Sequence, residues 1–186
     1  MLSAKERVIL GIDPGTSVMG YGLIRVNGNH LEMLTLGVLK LSKINDHAIK
    51  LRRIFERTRA LIEEYHPDEL VLEAPFYGKN IQSMLKLGRA QGVAMAAGLT
   101  RDIPIFEYSP RKIKQSITGN GNASKQQVSG MVQKLLSFKE EPQYLDATDG
   151  LATALCHYLQ GNTQKSDAKS YNSWKSFISD NPDRVK

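Results

Sequence analysis

Apolar runs and polar breaks alternate along the chain in an order that predicts strands first and helices afterwards. Val8 to Ile12 is a β-branched and aliphatic run suited to a buried strand, and it runs straight into Asp13 before Pro14-Gly15 turns the chain. A second run, Met19 to Val26, and a third, Leu31 to Leu41, flank Asn27-Gly28-Asn29, a strong hairpin signal. Three antiparallel strands therefore open the chain. From Asp46 to Tyr65 the spacing becomes helical, with Ile49, Leu51, Ile54, Phe55, Thr58, Leu61 and Ile62 on one side and charged residues on the other, until Pro67 ends it. Glu69-Leu70-Val71-Leu72-Glu73 then repeats the opening device, a short apolar run that stops on an acid. A helix that delivers the chain to another buried strand predicts a parallel pair joined by a right-handed crossover.

Asn80 to Leu99 reads as a second helix, rich in Gly88, Ala90, Gly92, Ala94, Ala96, Ala97 and Gly98. Small residues at that density let another backbone come close, either the helix's own sheet or a twin across a two-fold axis. Ile103 to Tyr108 is a further buried strand, and Ser109-Pro110 is an N-cap followed by a first-turn proline opening a basic helix with Arg111, Lys112 and Lys114. Gly119-Asn120-Gly121-Asn122 reads as a flexible loop. Ser124 with Gln127 forms a capping box for a helix reaching about Phe138, and a last helix, with Leu145, Leu151, Leu155 and Leu159 as its apolar stripe, runs from about Tyr144 to about Leu159. Beyond Gln160 the composition turns to Gly, Asn, Ser, Lys and Asp, a tail in which Tyr171, Trp174, Phe177 and Ile178 have the spacing of a short docking helix. Strands, crossover helix and parallel strands together predict an α/β domain with a mixed sheet flanked by helices.

Composition narrows the classes. At 186 residues the chain can bury a real core without staples, and a lone cysteine, Cys156, excludes an internal disulfide framework and suits a reducing compartment. No secretory signal and no run of about 18 apolar residues is present, which predicts a cytoplasmic protein with no membrane partner. The formal net charge is +6. Between Lys79 and Lys125 eight basic residues stand against Asp102 and Glu107, so that quarter of the chain holds the whole excess.

The acids carry the chemistry. Asp13 and Glu73 end two apolar strands, and Asp146 and Asp149, three apart at the start of the last helix, project from one face. Each such residue has an ordinary alternative: a turn acid, a solvated strand end, an N-cap or a first-turn dipole partner. The recurrence of the strand-to-acid device favours a common site. Like charges about 4 Å apart at an effective dielectric near 20 repel by roughly 4 kcal/mol, so such a cluster needs cations or protons. Carboxylates without a matching Cys or His set select Mg²⁺ or Mn²⁺ over Zn²⁺. Two such ions about 4 Å apart form the clamp used for in-line displacement at a phosphodiester. Lys114 and Lys125 flank the glycine-rich loop and offer positive charge where backbone can approach a phosphate; Phe76 and Tyr77 beside Lys79 pair stacking surface with charge. His157 lies about 12 Å along the helix from Asp149, too far to share a metal, and reads as a structural or surface histidine. Cys156 reads as a buried small apolar residue.

Taken together, Gly11-Ile12-Asp13-Pro14-Gly15, Leu72-Glu73, Lys114-Gln115 with Gly119-x-Gly121 and Lys125, and Asp146-Ala147-Thr148-Asp149-Gly150-Leu151 resemble the RuvC family of Holliday-junction resolvases. The likeness runs in order from about Arg7 to Leu159. It implies a ribonuclease-H-like five-stranded mixed sheet over residues 1–160, followed by the polar tail, residues 161–186. It implies Asp13, Glu73, Asp146 and Asp149 as Mg²⁺-binding catalytic carboxylates, and Lys114 and Lys125 as basic residues facing DNA. Phe76 takes the place of an aromatic that stacks on bases at an opened crossover. A homodimer nicking two opposed strands of a four-way junction, leaving 5′-phosphate and 3′-hydroxyl ends, and partnership with branch-migration proteins follow from the same likeness. Gly150 sits where many relatives carry Ala, at a small helix cost. Two other classes compete: a sugar-kinase-like ATPase, for which the chain has only one lobe, and a non-catalytic junction-binding protein, which would not need the acids. Another ribonuclease-H-like nuclease is the nearest alternative.

Overall fold

The structure, a computed structural model, describes residues 6–75, 80–138, 145–163 and 178. Within them five strands, β1 (Arg7–Asp13), β2 (Val18–Asn27), β3 (His30–Lys40), β4 (Glu69–Glu73) and β5 (Ile105–Tyr108), form one sheet in the order β3-β2-β1-β4-β5. β1, β2 and β3 are antiparallel, and β4 and β5 add on in parallel with β1. This is the mixed sheet that the strand order predicts. β5 begins at Ile105, two residues later than its apolar run suggests, because Ile103 and Pro104 still belong to the approach, where the Pro104 carbonyl accepts from Leu70 N.

Five helices complete the described part: α1 (His47–Tyr65), α2 (Ile81–Leu99), α3 (Pro110–Thr118), α4 (Lys125–Leu136) and α5 (Leu145–Thr163). Their starts are set by side chains. Asp46, Asn80, Ser109 and Ser124 each accept from a backbone N–H of the first turn, and Ser124 with Gln127 closes a full capping box. α1 stops at His66 in the left-handed conformation, one residue before Pro67. α5 runs past Leu159, the end its apolar stripe predicts, to Thr163.

The sheet divides the core in two. Leu10, Ile12, Tyr21, Leu23, Leu70 and Leu72 pack against α1 and α2, whereas Ile9, Ile24, Val26 and Val71 pack against α3, α4 and α5. Alternation along each strand produces this split. β3 carries one extra residue opposite Leu23 and Ile24, so Leu36 on one side of the bulge and Met33 and Leu31 on the other all reach the α5 face. Among the described residues no helix is long and apolar enough to cross a membrane. Ile178 apart, the tail beyond residue 163 lies outside the described residues.

Candidate functional site

β1 and β4 are parallel neighbours, so their last residues meet the same rim of the sheet. Asp13 is in phase with Ile9 and Gly11, and Glu73 with Val71, which turns both acids to the face covered by α5. α5 is laid close along that face by glycines. A Cβ on Gly11 would overlap the Gly150 carbonyl, one on Gly20 the Asp146 carbonyl, and one on Gly150 would stand 2.5 Å from the Tyr21 backbone. Gly150 is therefore no mere helix cost; it is where helix and sheet touch. The first turns of α5, with Asp146 and Asp149, are held over the strand ends by this contact.

Asp13, Glu73, Lys114, Lys125 and Asp149 line one cavity of about 160 Å³. Its apolar walls are Pro110, which the sequence marks only as a first-turn proline, and Ile113, Val128 and Ala152, which sequence reasoning did not single out; the pairing of Ile113 with buried Ile117 on α3 was the available signal. Asp146 joins the group through Lys125, whose Nζ donates to Asp146 Oδ1 at 2.9 Å and to Asp149 Oδ2 at 2.7 Å. Five of the seven candidate residues thus meet in the cavity, with Asp146 at its edge. Phe76, like Tyr77 and Lys79, lies outside the described residues.

Charge repulsion is visible at the acids. Burial, then the charges of Asp149 and Asp146, push the Asp13 carboxyl up to about 6 against the pull of Lys125. Glu73 is pushed up to about 8 by burial and by the Asp13 and Asp149 charges, with Lys125 and Lys114 opposing. Burial works against the Lys125 ammonium, but its hydrogen bonds to Asp149 and Asp146 outweigh that and raise it well above its ordinary value. The donor set is all carboxylate oxygen with more negative charge than two lysines neutralise, which suits a hard divalent cation. Among the described residues no three acids stand together as a ready-made metal cage; Lys125 spans two of them instead.

The loop between α3 and α4 differs from the flexible loop its composition suggests. Gln115 donates to the Gly119 carbonyl at 2.7 Å and accepts from Gly121 N at 3.0 Å, while Asn120 and Thr118 close further turns. Gly119 caps α3 with φ 76°, a value that favours glycine. A fixed loop keeps the two lysine-bearing helix ends at one spacing. His157, 8 % exposed, is buried at the far end of α5, and Cys156 is a free, buried thiol.

Residues 9–157 match the family described as crossover junction endodeoxyribonuclease RuvC. A protein of that name from Cytophaga hutchinsonii is 61% identical over 181 residues, covering 97% of this chain and 89% of its own length. Another from Bacteroides fragilis is 60% identical over 184 residues, covering 98% and 97%. Among solved structures, Thermus thermophilus RuvC in complex with Holliday junction substrate superposes with TM-score 0.78 at 29% identity, over 85% of this chain and 96% of that one. The yeast mitochondrial Holliday junction resolvase Ydc2, with TM-score 0.58 at 16% identity, shares the ribonuclease-H-like fold. With its motifs in order, its acids at one sheet rim and relatives this similar over nearly their full length, the chain belongs to the RuvC family of crossover junction endodeoxyribonucleases.

Proposed function

We propose that this endonuclease cuts four-way DNA junctions with Asp13, Glu73, Asp146 and Asp149 as its catalytic, metal-holding carboxylates. The observation that carries the reading is the single cavity in which acids from β1, β4 and α5 meet lysines from α3 and α4. Family membership implies a divalent metal cofactor. The finer reading is Mg²⁺, with Mn²⁺ able to substitute, at two ions per site. Such ions supply charge neutralisation at a phosphodiester and an activated water.

The chain's own residues do the rest. Glu73, pushed up to about 8, keeps its proton at neutral pH, whereas Asp13, at about 6, is mostly ionised there, so a cation entering the site would displace the Glu73 proton. Lys114 and Lys125 stand where a phosphate approaching the acids would meet their ammonium groups. Phe76, three residues after Glu73 in the sequence, is the aromatic that would stack on bases at an opened crossover.

Paired cutting needs two sites, and one face of α2 supports a homodimer. Ile81, Leu85 and Leu99 are 71%, 57% and 63% exposed, and a Cβ on Gly88 or Gly92 would meet open space. Ala90, Ala94, Ala97 and Gly98 are buried, so packing on the core accounts for four of the seven small residues and leaves Gly88, Gly92 and Ala96 turned outward for a partner. The remaining parts of the reading are a cytoplasmic setting, cooperation with branch-migration proteins, and residues 161–186 as an appendage to a nuclease domain of residues 1–160.

The experiment is a cleavage assay on a synthetic four-way junction, a linear duplex and an RNA–DNA hybrid, each with Mg²⁺ or EDTA. Symmetric nicks in the junction alone, only with Mg²⁺, and leaving 5′-phosphate ends, are expected. Junction binding that is indifferent to metal and never followed by cutting would make the protein a binding module instead.

A further inference from the structure

The three elements that bring acids to the cavity, β1, β4 and α5, also contribute, some distance away, to one polar chain around the buried His157, and β5 joins it just before α3 begins. Arg7 begins β1, which ends at Asp13; Glu69 begins β4, which ends at Glu73. His157 lies on α5, eight residues beyond Asp149, and Tyr108 ends β5 immediately before Ser109 caps the helix of Lys114. Arg7 Nη1 donates to Glu69 Oε1 at 3.0 Å and Oε2 at 3.3 Å. His157 Nε2 lies 3.3 Å from Glu69 Oε2, and His157 Nδ1 lies 2.8 Å from the Tyr108 hydroxyl. The Phe106 ring covers the imidazole at a centroid distance of 4.2 Å.

The chemistry of the chain is self-consistent. Burial would raise the Glu69 carboxyl, but the His157 hydrogen bond and the Arg7 guanidinium together hold it below its usual range. An ionised Glu69 requires a proton on His157 Nε2. With the proton on Nε2, Nδ1 is left as acceptor to the Tyr108 O–H, a hydroxyl that burial pushes further above its ordinary value.

Spacing gives the chain a purpose beyond packing. From Glu69 to Glu73 the strand advances about 13 Å at ~3.3 Å per residue. From His157 back to Asp149 the helix covers about 12 Å at ~1.5 Å per residue. α5 crosses the sheet from β2, where Gly20 meets Asp146, to the start of β4, where His157 meets Glu69, so pinning His157 there fixes how far the helix is advanced and with it where Asp149 stands relative to Glu73 in the cavity. The glycine contacts fix how close α5 comes to the sheet, while this tie fixes how far along the sheet it sits.

We propose that the Arg7–Glu69–His157–Tyr108 chain is the register pin of the nuclease site and that His157 is its central positioning residue. The proposal rests on the reading of Asp13, Glu73, Asp146 and Asp149 as the metal-holding acids. It is tested by Mn²⁺ titration of the DNA-free protein, followed by electron paramagnetic resonance, for wild type, His157→Ala, His157→Gln, Tyr108→Phe and Asp149→Asn. His157→Ala should bind Mn²⁺ about tenfold more weakly, the lower end of what outer supports of metal ligands are worth. It should still bind junctions in EDTA to within about twofold, since the phosphate-facing lysines are untouched. His157→Gln, whose amide can still donate to Glu69, should recover most of the loss. Tyr108→Phe keeps the ring and folds more readily, and should show a smaller loss in the same sense. Loss of melting temperature alone, with Mn²⁺ affinity of the folded His157→Ala and Tyr108→Phe proteins equal to wild type, would reduce the chain to ordinary packing and overturn the proposal. Wild-type Mn²⁺ binding by Asp149→Asn would instead overturn the assignment of the acids on which it rests.

Discussion

Glu73 and Asp13 are half-buried carboxyls that the fold keeps at a cost, and the sign of that cost is open to measurement. Both ionise at higher pH in the folded chain than in the unfolded one, Glu73 at about 8 against 4.5 and Asp13 at about 6 against 3.8. The native state therefore binds more protons, and the stability these groups contribute is intact below their unfolded values and lost as pH rises through about 6 and then about 8. Glu73→Gln removes the charge and keeps the shape. In EDTA its melting temperature should match wild type near pH 4 and exceed it by a few degrees at pH 8.5, since one unit of pKa shift is about 1.4 kcal/mol. The same substitution, like Asp149→Asn, should lower Mg²⁺-dependent junction cleavage by at least about a hundredfold while junction binding persists, a loss on the scale of removing one transition-state charge partner. Equal melting curves at both pH values would mean that Glu73 is not held against its neighbours. Much of this was legible in the sequence, because an apolar run ending on an acid is a local pattern. The chain around His157 was not, since Glu69 and Tyr108, which it touches, and Arg7, which Glu69 accepts from, come from three other elements and no spacing rule links them.

At the scale of elements, the site depends on where α5 lies, and α5 is placed by contacts too distant in sequence for periodicity to reveal. Helix spacing identified its apolar stripe but not its course across β1 and β2, which Gly11, Gly20, Gly22 and Gly150 make room for. Read alone, Gly150 is a weak point in a helix; against β2 it is a fulcrum. Gly150→Ala would improve helix propensity by about 1 kcal/mol. It would also drive a methyl group to 2.5 Å from the Tyr21 backbone, where no flexible side-chain end can give way. The second effect dominates, because overpacking against backbone costs about 1–3 kcal/mol or more. The expected result is net destabilisation of about 1–2 kcal/mol by urea unfolding, together with weaker Mg²⁺ saturation as Asp146 and Asp149 shift from the strand ends. A gain in stability would show that α5 can move freely and that the glycines do not set its seat. Capping predicts element starts far better than it predicts their docking: Ser109 and Ser124 cap where sequence places them, and Asp46 and Asn80, read there only as the first residues of their helices, are caps too, because a cap is decided within four residues.

The whole molecule raises the question of how one cavity comes to make two cuts. Among the described residues a subunit has one acid cluster, so the paired incision proposed above would take a second copy facing the other strand, and the apolar outward face of α2 is the surface proposed for it. Leu85 stands 57% exposed within a turn of Gly88, with Ile81 one turn before it, so its replacement disturbs no core contact of the monomer. Leu85→Lys would place a charge at the centre of that face and a second copy of it nearby across a two-fold axis. An unpaired charge buried at an interface costs several kcal/mol, enough to shift a dimer dissociation constant by about two to three powers of ten. Sedimentation at micromolar concentration should then find monomer for Leu85→Lys and dimer for wild type, with matching melting curves for the subunit fold. On a four-way junction the variant should leave singly nicked molecules that ligate back to the junction, whereas wild type yields two nicked duplexes. Dimeric sedimentation and wild-type resolution by Leu85→Lys would move the two-fold axis to another surface. Monomeric sedimentation with undiminished paired cutting would mean that the junction itself brings two subunits together, with α2 contributing nothing to the pairing.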